Sequence, residues 1–253
     1  MLALNARGNY RFVTAPGMPF SSGAVADLGF AIVHASFHPM VRLADGYGSI
    51  ERHLRDVQRP IHAVCGIELR IPAPLTPAGF DEFNRGYLER LAAWGVLIDG
   101  VNPIARTNVA PMTNAPAEPS LFGFYYTVPN PGVARPAYVL AGSAEMRAGE
   151  GGRRELVARG DVSPDGLGRK MACVLDNLSE LIGEMKVRWD DATSVNLYTV
   201  HDVHPLFEKL LLPALGAAAI RGIRFHHSRP PVTGLEMEID ACAAREELLI
   251  SAT

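Results

Sequence analysis

The sequence predicts an α+β fold made of two tandem halves, residues 1–112 and 113–253, each a mixed sheet packed on two helices. Three observations carry this. The C-terminal part reads helix, strand, helix, strand, strand by its apolar spacing. A weaker copy of that order occupies the first half. Between them, Ala110 to Pro119 holds three prolines in ten residues, which no helix interior or central strand accommodates.

In the first half, Pro19 to Val25 and Phe30 to Ala35 read as a hairpin. Ser49 to Val57 is a short helix, and Ile61 to Ile71 an alternating strand. Phe83, Tyr87, Leu91 and Trp94 recur three or four apart, an amphipathic helix over residues 80–94. Pro103 to Val109 opens another strand.

The second half starts with aromatic, β-prone Phe122 to Val128 and with Tyr138 to Gly142, read as a hairpin with a long connection. Arg147 to Pro164 is rich in glycine and charge and reads as a surface loop. Leu167, Met171, Val174, Leu175, Leu178, Leu181, Ile182 and Met185 form a helical stripe, with Ser163 and Asp165 flanking Pro164 as a start signal. Thr193 to Val200 is a strand and Pro205 to Leu215 a short helix. Ile220 to Ser228 and Leu235 to Ala243 are the closing strands. Identity between the halves is low, so a single α+β domain with an irregular lobe is the other arrangement the pattern allows.

Composition narrows the class. The chain has 253 residues, 48% hydrophobic, with a net charge of −3. That suits a packed core and offers no basic field for nucleic acid. Cys65, Cys173 and Cys242 lie in apolar runs, too few for a disulfide framework, as expected of reduced thiols in the cytoplasm. No stretch has the length of a membrane span, and no secretory leader pattern opens the chain. There is no glycine-rich phosphate loop and no nucleophile elbow. His201 and His204, and the adjacent His226 and His227, do not make three convergent ligands, so no metal is expected.

The C-terminal strand holds the chemistry. Side chains alternate along a strand, so Glu236, Glu238 and Asp240 share one face, opposite Leu235, Met237, Ile239 and Ala241. Three carboxylates on one face either meet water or line a site.

Several segments together resemble the RidA superfamily. Val174-Leu175-Asp176-Asn177-Leu178 resembles its helix, and Trp189 to Val195 its helix-to-strand passage. Ser228-Arg229-Pro230-Pro231 followed by Leu235 to Ala241 is similar to its C-terminal signature. Pro19 to Val25 and Pro103-Ile104-Ala105-Arg106-Thr107 resemble two further motifs. The resemblance implies two tandem RidA-like (chorismate mutase-like) domains, the N-terminal one degenerate, assembled as a trimer or similar oligomer. It implies cofactor-independent release of ammonia from an enamine or imine bearing a carboxylate, with 2-aminomuconate or a substituted aminomuconate of aromatic degradation as the expected substrate. A chorismatase-like hydrolase or lyase on a cyclic carboxylic acid, and a small-molecule-binding protein without turnover, are the alternatives.

Onto this sequence the resemblance carries Glu238 as the group that directs water, and an arginine as the carboxylate clamp. Arg106 stands in the more faithful motif. In the second half the expected arginine is Gly222; Arg224, two residues along on the same pleat face, is the substitute. Gly142 and Ser143 occupy the positions of a small residue and a hydroxyl near the ligand. Tyr125 and Tyr126 are candidate pocket walls, and His226 shares a face with Arg224.

Overall fold

The structure is a computed structural model that describes residues 1–15, 18–132, 134–148 and 154–251. Its strands are β1 (Leu2–Asn5), β2 (Tyr10–Val13), β3 (Gly23–Ala26), β4 (Phe30–Arg42), β5 (Val64–Arg70), β6 (Ala105–Pro111), β7 (Ser120–Pro129), β8 (Tyr138–Ala144), β9 (Met146–Ala148), β10 (Arg154–Leu156), β11 (Ser194–Thr199), β12 (Arg224–Arg229), β13 (Met237–Cys242) and β14 (Glu246–Ile250). The α-helices are α1 (Leu43–Asp56), α2 (Pro77–Ala93), α3 (Pro164–Met185) and α4 (Leu212–Leu215). Twelve strands form one mixed sheet in the order β1-β2-β3-β8-β13-β11-β12-β6-β5-β7-β4-β14. Within it, β6-β5-β7-β4 and β12-β11-β13-β8 match strand for strand. In each run the first pair is parallel and the next two antiparallel.

Local chemistry explains the helices. Thr76 and Ser163 cap α2 and α3 by accepting from the N–H groups of Gly79 and Gly166, each at 3.1 Å, with proline at the first helical position. Residues 204–215 form one helical stretch of changing pitch, which Gly216 ends at φ +53° before a 3-10 segment to Arg221. Proline 213 has no N–H for the carbonyl four residues back, and the preceding turn widens to π geometry.

Each run of four strands buries one face under helices. Leu175, Leu178 and Ile182 of α3 pack on Leu197, Met237 and Ile239. Ile50 and Leu54 of α1 and Leu91 of α2 pack on Val33, Ile67 and Phe124. The opposite faces meet each other through Phe12, Ile32, Cys65, Tyr125, Val139 and Cys242. The single sheet thus folds into two packed layers, in the order helices, sheet, sheet, helices, and Glu68, Glu238 and Asp240 project into the seam between them.

Several pairings differ from expectation. β7 lies beyond residue 112 yet pairs with β4 and β5 of the first half, while β3 pairs with β8. Strand pairing thus crosses the expected 112/113 boundary in both directions. Because β7 is bonded on both sides it cannot form the expected hairpin with β8. The expected β3–β4 hairpin is absent for the same reason, since β3 lies between β2 and β8. The expected surface loop contains the β9–β10 hairpin. β13 is followed by β14, which pairs parallel with β4.

Candidate active site

The alternation of β13 sends Met237, Ile239 and Ala241 toward α3 and Glu238 and Asp240 into the seam, both almost wholly buried. Room for Glu238 comes from Gly142: a Cβ at residue 142 would overlap the Glu238 carboxyl group. Burial first, and then the negative charge of Asp240, push Glu238 up to about 8, against the pull of Arg106 and Arg70. At neutral pH it is a protonated acid.

Arg106 leaves β6 on the side facing α2. Its guanidinium lies 4.6 Å from the ring centres of Phe20 and Tyr87 and donates through Nη2 to Asn84 at 2.7 Å. Its Nη1 is buried with no hydrogen-bond partner, and so are both side-chain polar atoms of Asn108, two residues along the strand. A buried guanidinium with an unused donor is a ready carboxylate holder. Arg106 and Glu238 feel each other's charge.

Deeper in the seam stand two histidine–tyrosine stacks. His34 stacks on Tyr125 at 4.3 Å, and the Tyr125 hydroxyl donates to Glu68 at 3.2 Å. His226 stacks on Tyr198 at 4.6 Å, and the Tyr198 hydroxyl donates to Asp240 at 3.0 Å. Asp240 also accepts from Thr107 and Asn196, each at 2.7 Å. Burial alone would raise Glu68, but the charge and hydrogen bond of His34, 2.8 Å away, hold it below the usual carboxylate range. Burial and the nearby charge of Glu68 push Asp240 up. Burial, then the Arg70 charge, lower His226 to about 4, so it is neutral. A small recess between the sheets is lined by Ile67, Arg106, Thr107, Tyr125, Ala141 and Asp240.

The sequence-derived candidates therefore divide. Glu238 and Gly142 touch, Arg106 lies within their electrostatic reach, and Tyr125 and His226 wall the seam. Ser143 is turned away: an extra residue in β8 reverses its parity, and it faces Ile239 on the α3 side. Tyr126 also points outward, to His53 at 3.0 Å. Arg224 is half-exposed and bonded to both carboxylate oxygens of Glu247, at 3.0 and 3.1 Å. Gly222 sits at φ +76°, where residues with side chains are strained, which accounts for the missing arginine there. His201 bonds Glu236 and His204 bonds Asp202. Among the described residues no three His, Cys, Asp or Glu side chains gather as a metal site.

Sequence reasoning missed Glu68, Arg70 and His34. Their signal was present, since Glu68 and Arg70 sit two apart in an otherwise apolar strand, Val64-Cys65-Gly66-Ile67-Glu68-Leu69-Arg70. It also missed Glu145, wholly buried, which is ion-paired with Lys170 and accepts from the backbone N–H groups of Glu236 and Met237, just before Glu238.

A neutral acid beside a permanent cation can donate a proton to a substrate held by its carboxylate, then take one back from water. A chorismatase crystal structure matches with a TM-score of 0.50 and 15% identity, over 88% of this chain and 77% of that one, a likeness of fold. The 2-amino-5-chloromuconate deaminase of Comamonas testosteroni is 39% identical over 246 residues, 96% of each chain. The family described as 2-aminomuconate deaminase CnbZ matches residues 2–248, and the chain belongs to that family.

Proposed function

We propose that this protein hydrolyses 2-aminomuconate or a substituted aminomuconate, releasing ammonia in aromatic degradation. The carrying observation is Glu238: a buried acid, protonated at neutral pH, set against Gly142 and within the field of an unpaired arginine. Arg106 holds the carboxylate next to the amino-bearing carbon. Glu238 gives its proton to the enamine carbon as the nitrogen lone pair forms the iminium. The resulting Glu238 carboxylate takes a proton from water as the water adds to the amino-bearing carbon of the iminium. Glu238 then protonates the nitrogen, ammonia leaves, and the hydroxyl proton returns to Glu238. The net change is C=C–NH₂ plus water to HC–C=O plus ammonia, the enamine double bond being exchanged for a C–H bond, with no oxidant and no cofactor.

The same reading makes the chain a tandem member of the RidA superfamily. The matching strand orders support two copies of one unit, with the junction in the connection between β7 and β8. The unpaired outer edges of β1 and β14 support assembly into an oligomer, a trimer by the resemblance. Three free, buried cysteines suit the cytoplasm, and among the described residues no helix is long and apolar enough to cross a membrane.

The test is ammonia release from freshly generated 2-aminomuconate, beside Glu238→Gln. Turnover lost in the variant is the expected result. A wild-type protein that leaves the substrate intact overturns the proposal.

A further inference from the structure

We infer that Arg70 is a second carboxylate-binding residue, which makes this a site for dicarboxylates. The inference rests on the function proposed above and extends it. A muconate skeleton carries a carboxylate at each end of six carbons. Arg106 meets one end. The other would enter a dry seam, where an unpaired charge is costly.

Arg70 and Arg106 are the two buried arginines among the described residues, and neither has a carboxylate within ion-pair distance. Arg70 is 4% exposed. It donates through Nη1 to the Leu69 carbonyl at 3.0 Å, and its guanidinium lies 4.1 Å from the Phe122 ring centre and 5.5 Å from that of Tyr198. Stacking on ring faces leaves the N–H edge of the fork for an anion.

Arg70 is not consumed by its acidic neighbours. Glu68 takes its bonds from His34 and Tyr125. Asp240 takes its own from Thr107, Asn196 and Tyr198. Arg70 stands over the ring of Tyr198, and Tyr198 lies directly opposite Glu238 in the β11–β13 pairing; both arginines also pull on Glu238. The proton donor thus lies in the field of two unpaired cations, the arrangement for a substrate charged at both ends and reactive between them.

Muconate and sorbate separate the claim. They share the six-carbon diene and differ in one carboxylate, which sorbate replaces with a methyl group. Calorimetry on wild-type protein should give muconate the tighter binding, by roughly 10- to 100-fold, the range of one charge-assisted hydrogen bond. Arg70→Gln should remove that difference and leave sorbate binding unchanged, Arg70→Lys should keep part of it, and Arg106→Gln should weaken both ligands. Equal binding of the two acids by wild-type protein overturns the inference, whatever the variants do. So does an Arg70→Gln protein that discriminates like wild type, or one that loses both ligands alike. Preference for muconate without ammonia release from 2-aminomuconate would overturn the reaction and leave the dicarboxylate site standing.

Discussion

The carboxyl group of Glu238 fills the space that a side chain on residue 142 would occupy. The two positions lie on neighbouring strands, β13 and β8, where an extra residue in β8 shifts the register. Glycine at 142 is therefore a condition for where the acid sits. Gly142→Ala should turn Glu238 away, with kcat falling on the order of 100-fold, as expected for a misplaced catalytic group. The melting temperature should change little, because the far end of a side chain moves rather than the backbone. Ammonia-release rates and thermal melts check both halves; undiminished kcat would separate Gly142 from the acid.

Glu238 is held neutral at the expense of stability. Its carboxyl ionises near 4.5 when unfolded and near 8 when folded. Below 4.5 both states hold the proton. As pH rises toward 8 the unfolded chain gives it up first, so folding loses ground across that window. Glu238→Gln should stabilise the protein at pH 7 by at most about 3 kcal/mol and leave it unchanged near pH 4. The same variant should lose roughly 10²–10⁴-fold in rate as a missing general acid. Denaturant melts at the two pH values decide the matter; equal effects at both would mean the acid is not neutral in the fold.

Asp240 sets where that acid titrates. After burial, its negative charge is the next largest reason Glu238 stands high. For an acid acting in its protonated form, kcat/KM falls as pH rises through about 8. Asp240→Asn removes the charge but keeps an oxygen for Thr107 or Tyr198. The alkaline limb should then move to lower pH. A limb that stays in place would show that Asp240 is not felt at Glu238.

Much of this site was legible because strand alternation is local. Glu238 and Asp240 could be put on one face of β13 from their spacing alone. What failed was long-range or parity-dependent. Nothing near Phe122 announces that β7 pairs on both sides with the first half, so its partners and the crossing of residue 112 stayed hidden. One extra residue in β8 turned Ser143 from the seam to the helix side. Arg224 shares the pleat face of residue 222, but Glu247, on a strand beyond the last one expected, claims it. Arg70 and Glu68 lie within the expected strand Ile61 to Ile71, but their burial depends on the second half of the sheet packing over them, which strand spacing does not show.

The backbone that carries Glu238 is fixed from behind by a buried ion pair. Lys170 of α3 and Glu145 are wholly inaccessible, with Nζ 3.3 Å from Oε1 and 3.1 Å from the Val157 carbonyl. Glu145 in turn accepts from the N–H groups of Glu236 at 2.6 Å and Met237 at 3.3 Å, just before the acid. Lys170→Met would leave a buried carboxylate without its cation, which costs on the order of 3–5 kcal/mol. Adding Glu145→Gln should recover part of that loss, since the amide oxygen still accepts from one backbone N–H and no charge is stranded. The two single variants and the double form a cycle whose coupling energy urea melts measure. Strict additivity would show that the pair contributes nothing as a pair. If it does act as a pair, kcat of the double variant should recover less than its stability, because a neutral amide holds the start of β13 less firmly than a carboxylate bonded to two N–H groups.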